Sequence, residues 1–407
     1  MKYINRDIES VVLEVSQSYS AILITGPRQA GKTTMLRHLM DDNRNYVTLD
    51  DLEARKMAQN DPELFLSIYP PPVLIDEVQY APQLFSYVKI SVDKGAKPGA
   101  FWMTGSQAFR LMELAQESLA GRVAILHMSS LSQHEIYGNG QHMPLEISIE
   151  KLRERAGNGR KTDVNGMYER IWKGSMPGMI SGKYPNRDIF YSSYLQSYIQ
   201  RDIGDLADRI NALQFADFVR AAACRTGQIL NIHDIASDVG TTDDTAKRWL
   251  RLMEKSDIIF FLRPYSNNLL KRTIKTPKMY FFDTGLVAYL TKYSSSEILM
   301  NGAINGAILE NYTVAETIKS YTNNGMECLI YYYRDKESKE IDMVIESNGE
   351  LHPFEIKKSS SPGTELVSSF KVLDSGSVPR GTGAILCMKE EFSAIDRKTL
   401  IVPIWMI

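Results

Sequence analysis

Three short apolar runs stand out in the first quarter of the chain: Ala21-Ile22-Leu23-Ile24, Val73-Leu74-Ile75 and Ala100-Phe101-Trp102-Met103. Each predicts a buried strand. The first is followed by a glycine-bounded loop and then by Thr33, Thr34, Met35 and Leu36, which open a helix. GNGQH at 138–142 and GNGRKTDVNG at 157–166 read as loops around a module boundary. Beyond them the apolar positions take helical spacing, as in Tyr191, Tyr194, Leu195, Tyr198 and Ile199, with Arg201 and Asp202 after them.

Phe215, Phe218, Val219 and Ala222 mark a further helix, and Ile232, Ile235 and Ala236 a short one. Val239-Gly240-Thr241 turns into a third, Thr242 to Glu254, with Trp249, Leu250 and Leu252 facing inward. A strand from Ile258 to Leu262 and a basic loop around Lys271, Arg272, Lys275 and Lys278 follow. This is the layout of a helix-turn-helix with a wing. The last stretch opens with an apolar helix, Ala303 to Tyr321. Strands at Leu329 to Tyr333, Ile341 to Ile345 and Pro353 to Lys357 come next, the last two joined at Gly349 as a hairpin. The expectation is an α/β chain in three modules: 1–150 with a sheet flanked by helices, 151–290 helical and winged, and 291–407 smaller and mixed.

Composition narrows the class without naming a partner. At 407 residues, 43% hydrophobic and 24% charged, the chain has the make-up of two or three globular domains. A net charge of −2 gives no global pull toward nucleic acid or membrane, so such a contact needs a local patch. Cys224, Cys328 and Cys387 are far apart and show no metal or redox spacing, so they are expected as free, buried thiols in a reducing cytoplasm. MKYINRDIESVVLEVSQ lacks the apolar core of a secretory signal, and no apolar run is long enough to cross a bilayer. A cytoplasmic protein with no membrane partner is expected.

The loop after the first strand carries the clearest chemistry. Gly26 to Thr33 satisfies Gly-x4-Gly-Lys-Thr in full. Gly26 and Gly31 let the backbone N–H groups turn inward around a phosphate. Lys32 would reach the β- and γ-phosphates, and the Thr33 hydroxyl would ligate Mg²⁺. Pro27, Arg28, Gln29, Ala30 and Thr34 complete the expected ATP contacts. The strand at Val73 ends in Asp76 and Glu77, the first expected to hold Mg²⁺ through water and the second to orient the attacking water. Thr104 leads the third strand into Gly105, Ser106 and Gln107, where Ser106 could touch the γ-phosphate or the water. Arg122 is either a surface arginine or a guanidinium offered to the transition state from this or a neighbouring subunit, the latter consistent with a homo-oligomer.

A second constellation lies near the C-terminus. Glu355 and Lys357 project from one strand face, and Asp342 at the neighbouring strand can approach them. With Glu310 on the preceding helix, these form the D…ExK pattern of the PD-(D/E)xK nuclease fold. Glu310, Asp342 and Glu355 would bind a metal and Lys357 would stabilise developing charge. The alternative is an inert fold in which Lys357 pairs with Asp342 or Glu355. In the winged region, Lys247, Arg248 and Arg251 would form an outer basic face with the loop lysines. Duplex DNA contact and a lid-like packing role both remain open, since Asp243 and Asp244 in the helix's first turn would repel a phosphate backbone.

Taken in order, GPRQAGKTT, YVTLDDLEAR, VLIDEVQ, TGSQ and LAGRV resemble an AAA-type P-loop ATPase module. With YLQSYIQRDI, FFDTGLVAYL, EIDMVIE and FEIKKS, the chain resembles the bacterial and archaeal ATPases whose second half carries the region of unknown function DUF4143. SSLSQHEI after LAGRV departs from the Pro-Leu-Ser-Phe-x-Glu stretch common there. The resemblance implies an ATPase coupling nucleotide state to a nuclease-like, DNA-handling tail. Two alternatives stay open: a non-catalytic ATP switch whose inert tail binds a protein partner, and a metal-dependent nuclease gated by ATP.

Overall fold

The computed structural model describes residues 3–105, 121–138, 143–198, 211–266, 272, 275–337 and 339–407. Ser106, Gln107, Ile199, Arg201, Asp202 and Lys271 lie outside the described residues.

The first sheet contains β1 (Ala21–Thr25), β2 (Asn45–Thr48), β3 (Val73–Asp76), β4 (Phe101–Thr104) and β5 (Val123–His127), in the order β2-β3-β4-β1-β5. Every pairing is parallel. Helices cover both faces, which is why β1, β3 and β4 are buried at every position and read as continuous apolar runs. Ile8, Val12, Met35 and Leu36 pack on one face, and Phe65, Leu84, Phe85 and Val88 on the other. Parallel pairing brings the loops after β1, β3, β4 and β5 to one sheet edge, where ligands of such sheets bind.

After that sheet the chain builds helices at Val164–Lys173, Arg187–Tyr198, Ala212–Ala223, Ile232–Asp238 and Asp243–Lys255. A small antiparallel ladder accompanies them: β6 (Gln228–Ile229), β7 (Ile259–Leu262) and β8 (Lys278–Phe281), in the order β6-β8-β7. Side chains of Asn211, Asn231 and Thr242 cap three of the helices, as their positions just before apolar-periodic segments suggest. Trp249 packs edge-on against Phe215 and Phe218, with ring centroids 5.5 and 5.1 Å apart.

The final region sets the helix Asn305–Thr322 against a six-stranded mixed sheet, β13-β14-β12-β11-β10-β9. Its strands are β9 (Ile330–Arg334), β10 (Glu340–Ser347), β11 (Glu350–Ile356), β12 (Gly383–Cys387), β13 (Ser393–Asp396) and β14 (Thr399–Pro403). The β10–β11 turn is Asn348-Gly349, with φ of +52° and +77°, the two left-handed positions of a tight hairpin. One hydrophobic cluster runs from Leu145 to Ile407, so the helical and C-terminal regions share a core.

The SSLSQHEI segment ties the first sheet into that core. Ser132 and Glu135 form a capping box. The Gln133 backbone N–H donates to Glu316 at 2.6 Å, its side chain donates to the Trp405 carbonyl at 2.9 Å, and Lys319 donates to the Leu131 carbonyl at 2.9 Å. The thiols correct one expectation: Cys387 is buried, but Cys224 is exposed, because it follows Ala222 and Ala223 past the inward face of its helix. Among the described residues, no helix is long and apolar enough to cross a membrane.

Candidate functional site

The loop between β1 and its following helix, Lys32–Leu39, turns on three left-handed residues: Gly26 at φ +139°, Gln29 at +61° and Gly31 at +94°. A Cβ on Gly26 would lie 2.1 Å from the Met128 carbonyl oxygen, so the loop's first position admits only glycine. Arg6 braces the loop from outside. It donates to the Ala30 carbonyl at 2.9 Å and the Ser129 carbonyl at 2.8 Å, and pairs with Glu135 at 2.9 Å.

Lys32 is buried, and its ammonium donates to the carbonyls of Gly26 (2.9 Å) and Pro27 (2.8 Å). Burial pushes its pKa down to about 8, against the pull of Glu77, Asp257 and Asp76. Thr33 Oγ1 donates to Asp76 Oδ1 at 2.6 Å, and Thr104 Oγ1 donates to the same oxygen. The hydroxyl and carboxylate expected to share a cation therefore already meet across β1 and β3. Glu77 follows with φ +56°. Its N–H donates to Thr104 Oγ1 at 3.3 Å, and its carboxylate accepts from Gln79. A cleft of about 710 Å³ opens over residues 28–34 and Glu77, with Tyr3, Lys183 and Tyr184 on its walls.

These residues fit a magnesium–polyphosphate ligand. The left-handed turns form a concave backbone cradle, and among the described residues the buried Lys32 ammonium hydrogen-bonds to neutral carbonyls. Arg122 is not part of this cluster. It precedes β5, at the opposite edge of the sheet and about 16 Å along the strand, and pairs with Asp93 at 2.5 Å. A finger role would therefore be played on a neighbouring copy.

At the C-terminal constellation, Lys357 Nζ lies 3.1 Å from Asp342 and 2.8 Å from Glu355. The Ile356 N–H donates to Asp342 at 2.8 Å. Burial, reinforced by Asp342, lifts the Glu355 pKa to about 7. Glu310 lies on the far side, where it accepts from Tyr280 (2.5 Å) and Lys278 (2.9 Å). Burial first, then Asp342, raises its pKa. Lys278 also pairs with Glu340 at 2.6 Å. Both lysines thus stand among the carboxylates, and among the described residues no three acidic, His or Cys groups are grouped to hold a metal ion. As arranged, this set does not fit a divalent cation.

The basic patch is smaller than expected. Lys247, Arg248 and Arg251 are exposed on the helix Asp243–Lys255. Lys278, expected in a solvated loop, is instead buried in β8, and Arg272 pairs with Glu346 at 2.8 Å between the rings of Tyr265 and Tyr331. Glu340, Arg6 and Asp257 were not singled out from the sequence, and Lys278 was read only as one cation of a basic loop. Their partners are distant in the chain, and only the Lys-rich stretch 271–278 hinted at one of them.

A five-stranded parallel sheet in this order, with its Gly-Lys-Thr loop at the carboxyl edge, defines a P-loop nucleotide-binding protein. Residues 18–137 match the model of an AAA domain, 165–297 that of a domain of unknown function (DUF8612), and 305–407 that of a domain of unknown function (DUF4143). The chain thus carries an AAA domain ahead of a DUF4143 region. That region is confined to the last quarter, and the middle matches a model of its own. Uncharacterized proteins Rv2008c of Mycobacterium tuberculosis and Mb2031c of Mycobacterium bovis are each 28% identical over 347 residues, 84% of this chain and 71% of theirs. Among solved structures, a Walker-type ATPase of Pyrococcus abyssi is 15% identical, with a TM-score of 0.44 over 71% of this chain and 96% of that one.

Proposed function

We propose that the chain binds ATP with Mg²⁺ in the cleft over residues 26–34, hydrolyses it, and passes nucleotide state to the regions that follow. One observation carries this reading: the Thr33–Asp76 hydrogen bond of 2.6 Å, beside a buried Lys32 whose hydrogen bonds go to backbone carbonyls. Thr33 and Asp76 would hold Mg²⁺, which when bound neutralises charge on the phosphates. Lys32 would exchange the Gly26 and Pro27 carbonyls for phosphate oxygens, and Glu77 would orient the attacking water. Full-length protein should release phosphate from ATP, and Lys32→Ala should abolish the release. A wild-type rate no higher than that of Lys32→Ala overturns the reading.

Residues 212–281 read as a winged-helix module, on the evidence of three capped helices, the ladder β6-β8-β7 and Trp249 at their centre. Its role as a lid packed on the ATPase is favoured over DNA readout. Arg272 and Lys278 are engaged by carboxylates, and Asp243 and Asp244 share the exposed helix with the remaining basic side chains.

The C-terminal region reads as a PD-(D/E)xK nuclease-like fold, from the order helix, β9, β10, β11 and the meeting of Asp342, Glu355 and Lys357. Pairing of both lysines favours the switch alternative, in which this fold is inert and binds a partner. Supercoiled plasmid incubated with Mg²⁺ or Mn²⁺ should then remain intact. Nicking that disappears in Asp342→Ala would establish the nuclease reading instead.

A further inference from the structure

We infer that Asp257 is the nucleotide-sensing residue of this protein: it latches the middle region onto the phosphate loop, is displaced by a bound triphosphate, and moves with the strand ladder that carries Lys278. The inference rests on the reading of the cleft as an ATP site, and concerns how that site is regulated.

Asp257 follows the helix Asp243–Lys255 and precedes β7, so it belongs to the middle region. Its carboxylate nevertheless reaches the first sheet. Asp257 Oδ1 lies 3.8 Å from His127 Nε2. His127 ends β5 and pairs in register with Thr25, the residue before Gly26. Phe282, next to β8, packs on the same imidazole with ring centroids 6.4 Å apart. The middle region therefore grips the tip of β5 from two points, beside the loop that would take the phosphates.

The grip is costly, which is what a displaceable contact requires. Asp257 Oδ2 is buried and has no hydrogen-bond partner among the described residues. An unsatisfied buried carboxylate oxygen is unfavourable, and the residue also adopts φ +56°, a left-handed conformation. Burial raises the Asp257 pKa, and the neighbouring His127 and Lys32 act against that rise. Asp257 in turn pulls on Lys32, together with Glu77 and Asp76, while Arg28 opposes them. Lys32, hydrogen-bonded to the Gly26 and Pro27 carbonyls, thus also feels the charge of a carboxylate from another region. A triphosphate that engages Lys32 removes that support and places several negative charges close to Asp257. Either the carboxylate leaves or the nucleotide binds more weakly.

The departure has a direction. One residue, Ile258, separates Asp257 from β7, and β7 pairs with β8 from Ile259↔Phe281 to Leu262↔Lys278. Asp257 thus lies just before one end of a four-residue ladder and Lys278 at its other end, the two ends of the ladder being about 10 Å apart along the strands. At that far end Lys278 bonds Glu310 and Glu340 at 2.9 and 2.6 Å. The same strand continues into the C-terminal sheet: the Tyr332 N–H donates to the Arg263 carbonyl (3.1 Å) and the Tyr265 N–H to the Tyr332 carbonyl (2.7 Å). A shift of the ladder at Asp257 is therefore felt at the carboxylate cluster.

The test uses the full chain as wild type and as Asp257→Asn, which keeps the shape and removes the charge. MgATP and MgADP affinities are measured by titration calorimetry. Hydrogen exchange is followed over residues 259–262 and 278–281, with and without a slowly hydrolysed ATP analogue. Removing one close like charge should tighten MgATP by about tenfold or more, and MgADP by less. In wild type the analogue should raise exchange in both strands, whereas in Asp257→Asn exchange should already be raised without it. Unchanged or weaker ATP binding by Asp257→Asn overturns the inference and leaves the ATP reading standing. A wild type that binds no nucleotide overturns both. Should Asp257→Asn fail to fold, the wild-type exchange decides alone, and unchanged exchange at 278–281 refutes the lever.

Discussion

Lys278→Met removes a buried ammonium that two carboxylates share. Its side chain is 4% exposed and lies 2.9 Å from Glu310 and 2.6 Å from Glu340. Burial lowers its pKa, but the two glutamates outweigh burial and hold it above the ordinary lysine value. Methionine fills the stem's volume and leaves Glu310, already raised by burial and Asp342, without its cation. Breaking a buried pair from one side costs about 3–5 kcal/mol. The sign follows from which form is penalised. The folded-state pKa of Glu310 rises further in the mutant, so the penalty falls on the ionised carboxylate. It is largest above that pKa and is relieved as pH drops and Glu310 takes a proton. At roughly 2 °C per kcal/mol in a chain this large, melting should fall on the order of 6–10 °C at pH 8, and by much less at pH 5. Adding Glu310→Gln should recover a large part of the loss at pH 8. Equal losses at pH 5 and pH 8, or no recovery in the double variant, would refute the reasoning.

Other consequences can be checked separately. Glu355 has its folded pKa raised from 4.5 to about 7, so its stabilising contribution is complete below pH 4.5 and is lost as pH rises to 7. Glu355→Gln should flatten the melting temperature across that window and, at pH 8, stabilise metal-free protein by on the order of 1–3 kcal/mol. Gly26→Ala places a methyl against the Met128 carbonyl, so ATP binding should vanish while melting falls only a few degrees; normal binding would show that the loop can relax. Of the three thiols, Cys224 is exposed, whereas burial pushes Cys328 to about 12 and also raises Cys387. Native protein at pH 8 should therefore take up a single maleimide rapidly, at Cys224.

How much of this was readable in the chain depends on the range of the interactions. The phosphate loop was legible because its glycines, lysine and threonine act within eight residues. β1, β3 and β4 were legible because parallel strands covered on both faces are continuous apolar runs. β2 was not picked out as a strand: it is an edge strand, Asn45-Tyr46-Val47-Thr48, with only Val47 buried. The hairpin of β10 and β11 declared itself through Gly349, and its pairing brought Asp342 to Lys357 as expected. What stayed hidden was contact across regions. Lys278 looked like one more cation in a lysine-rich loop, since nothing nearby in the chain marks Glu310 and Glu340 as its partners. Asp257 looked like a polar turn residue between a helix and a strand. Gln133 sits in a segment that departs from the family pattern, and its bonds to Glu316 and Trp405 span more than 180 residues of chain.

The most direct measurement is equilibrium binding of ATP with Mg²⁺ to the full chain, wild type beside Lys32→Ala. Saturable binding below millimolar nucleotide, weakened by about tenfold or more in Lys32→Ala, is the expected result, since the buried ammonium is the main cation the loop presents to the phosphates. No saturation at millimolar nucleotide, or identical curves for the two proteins, would contradict the assignment of residues 26–34 as a phosphate cradle.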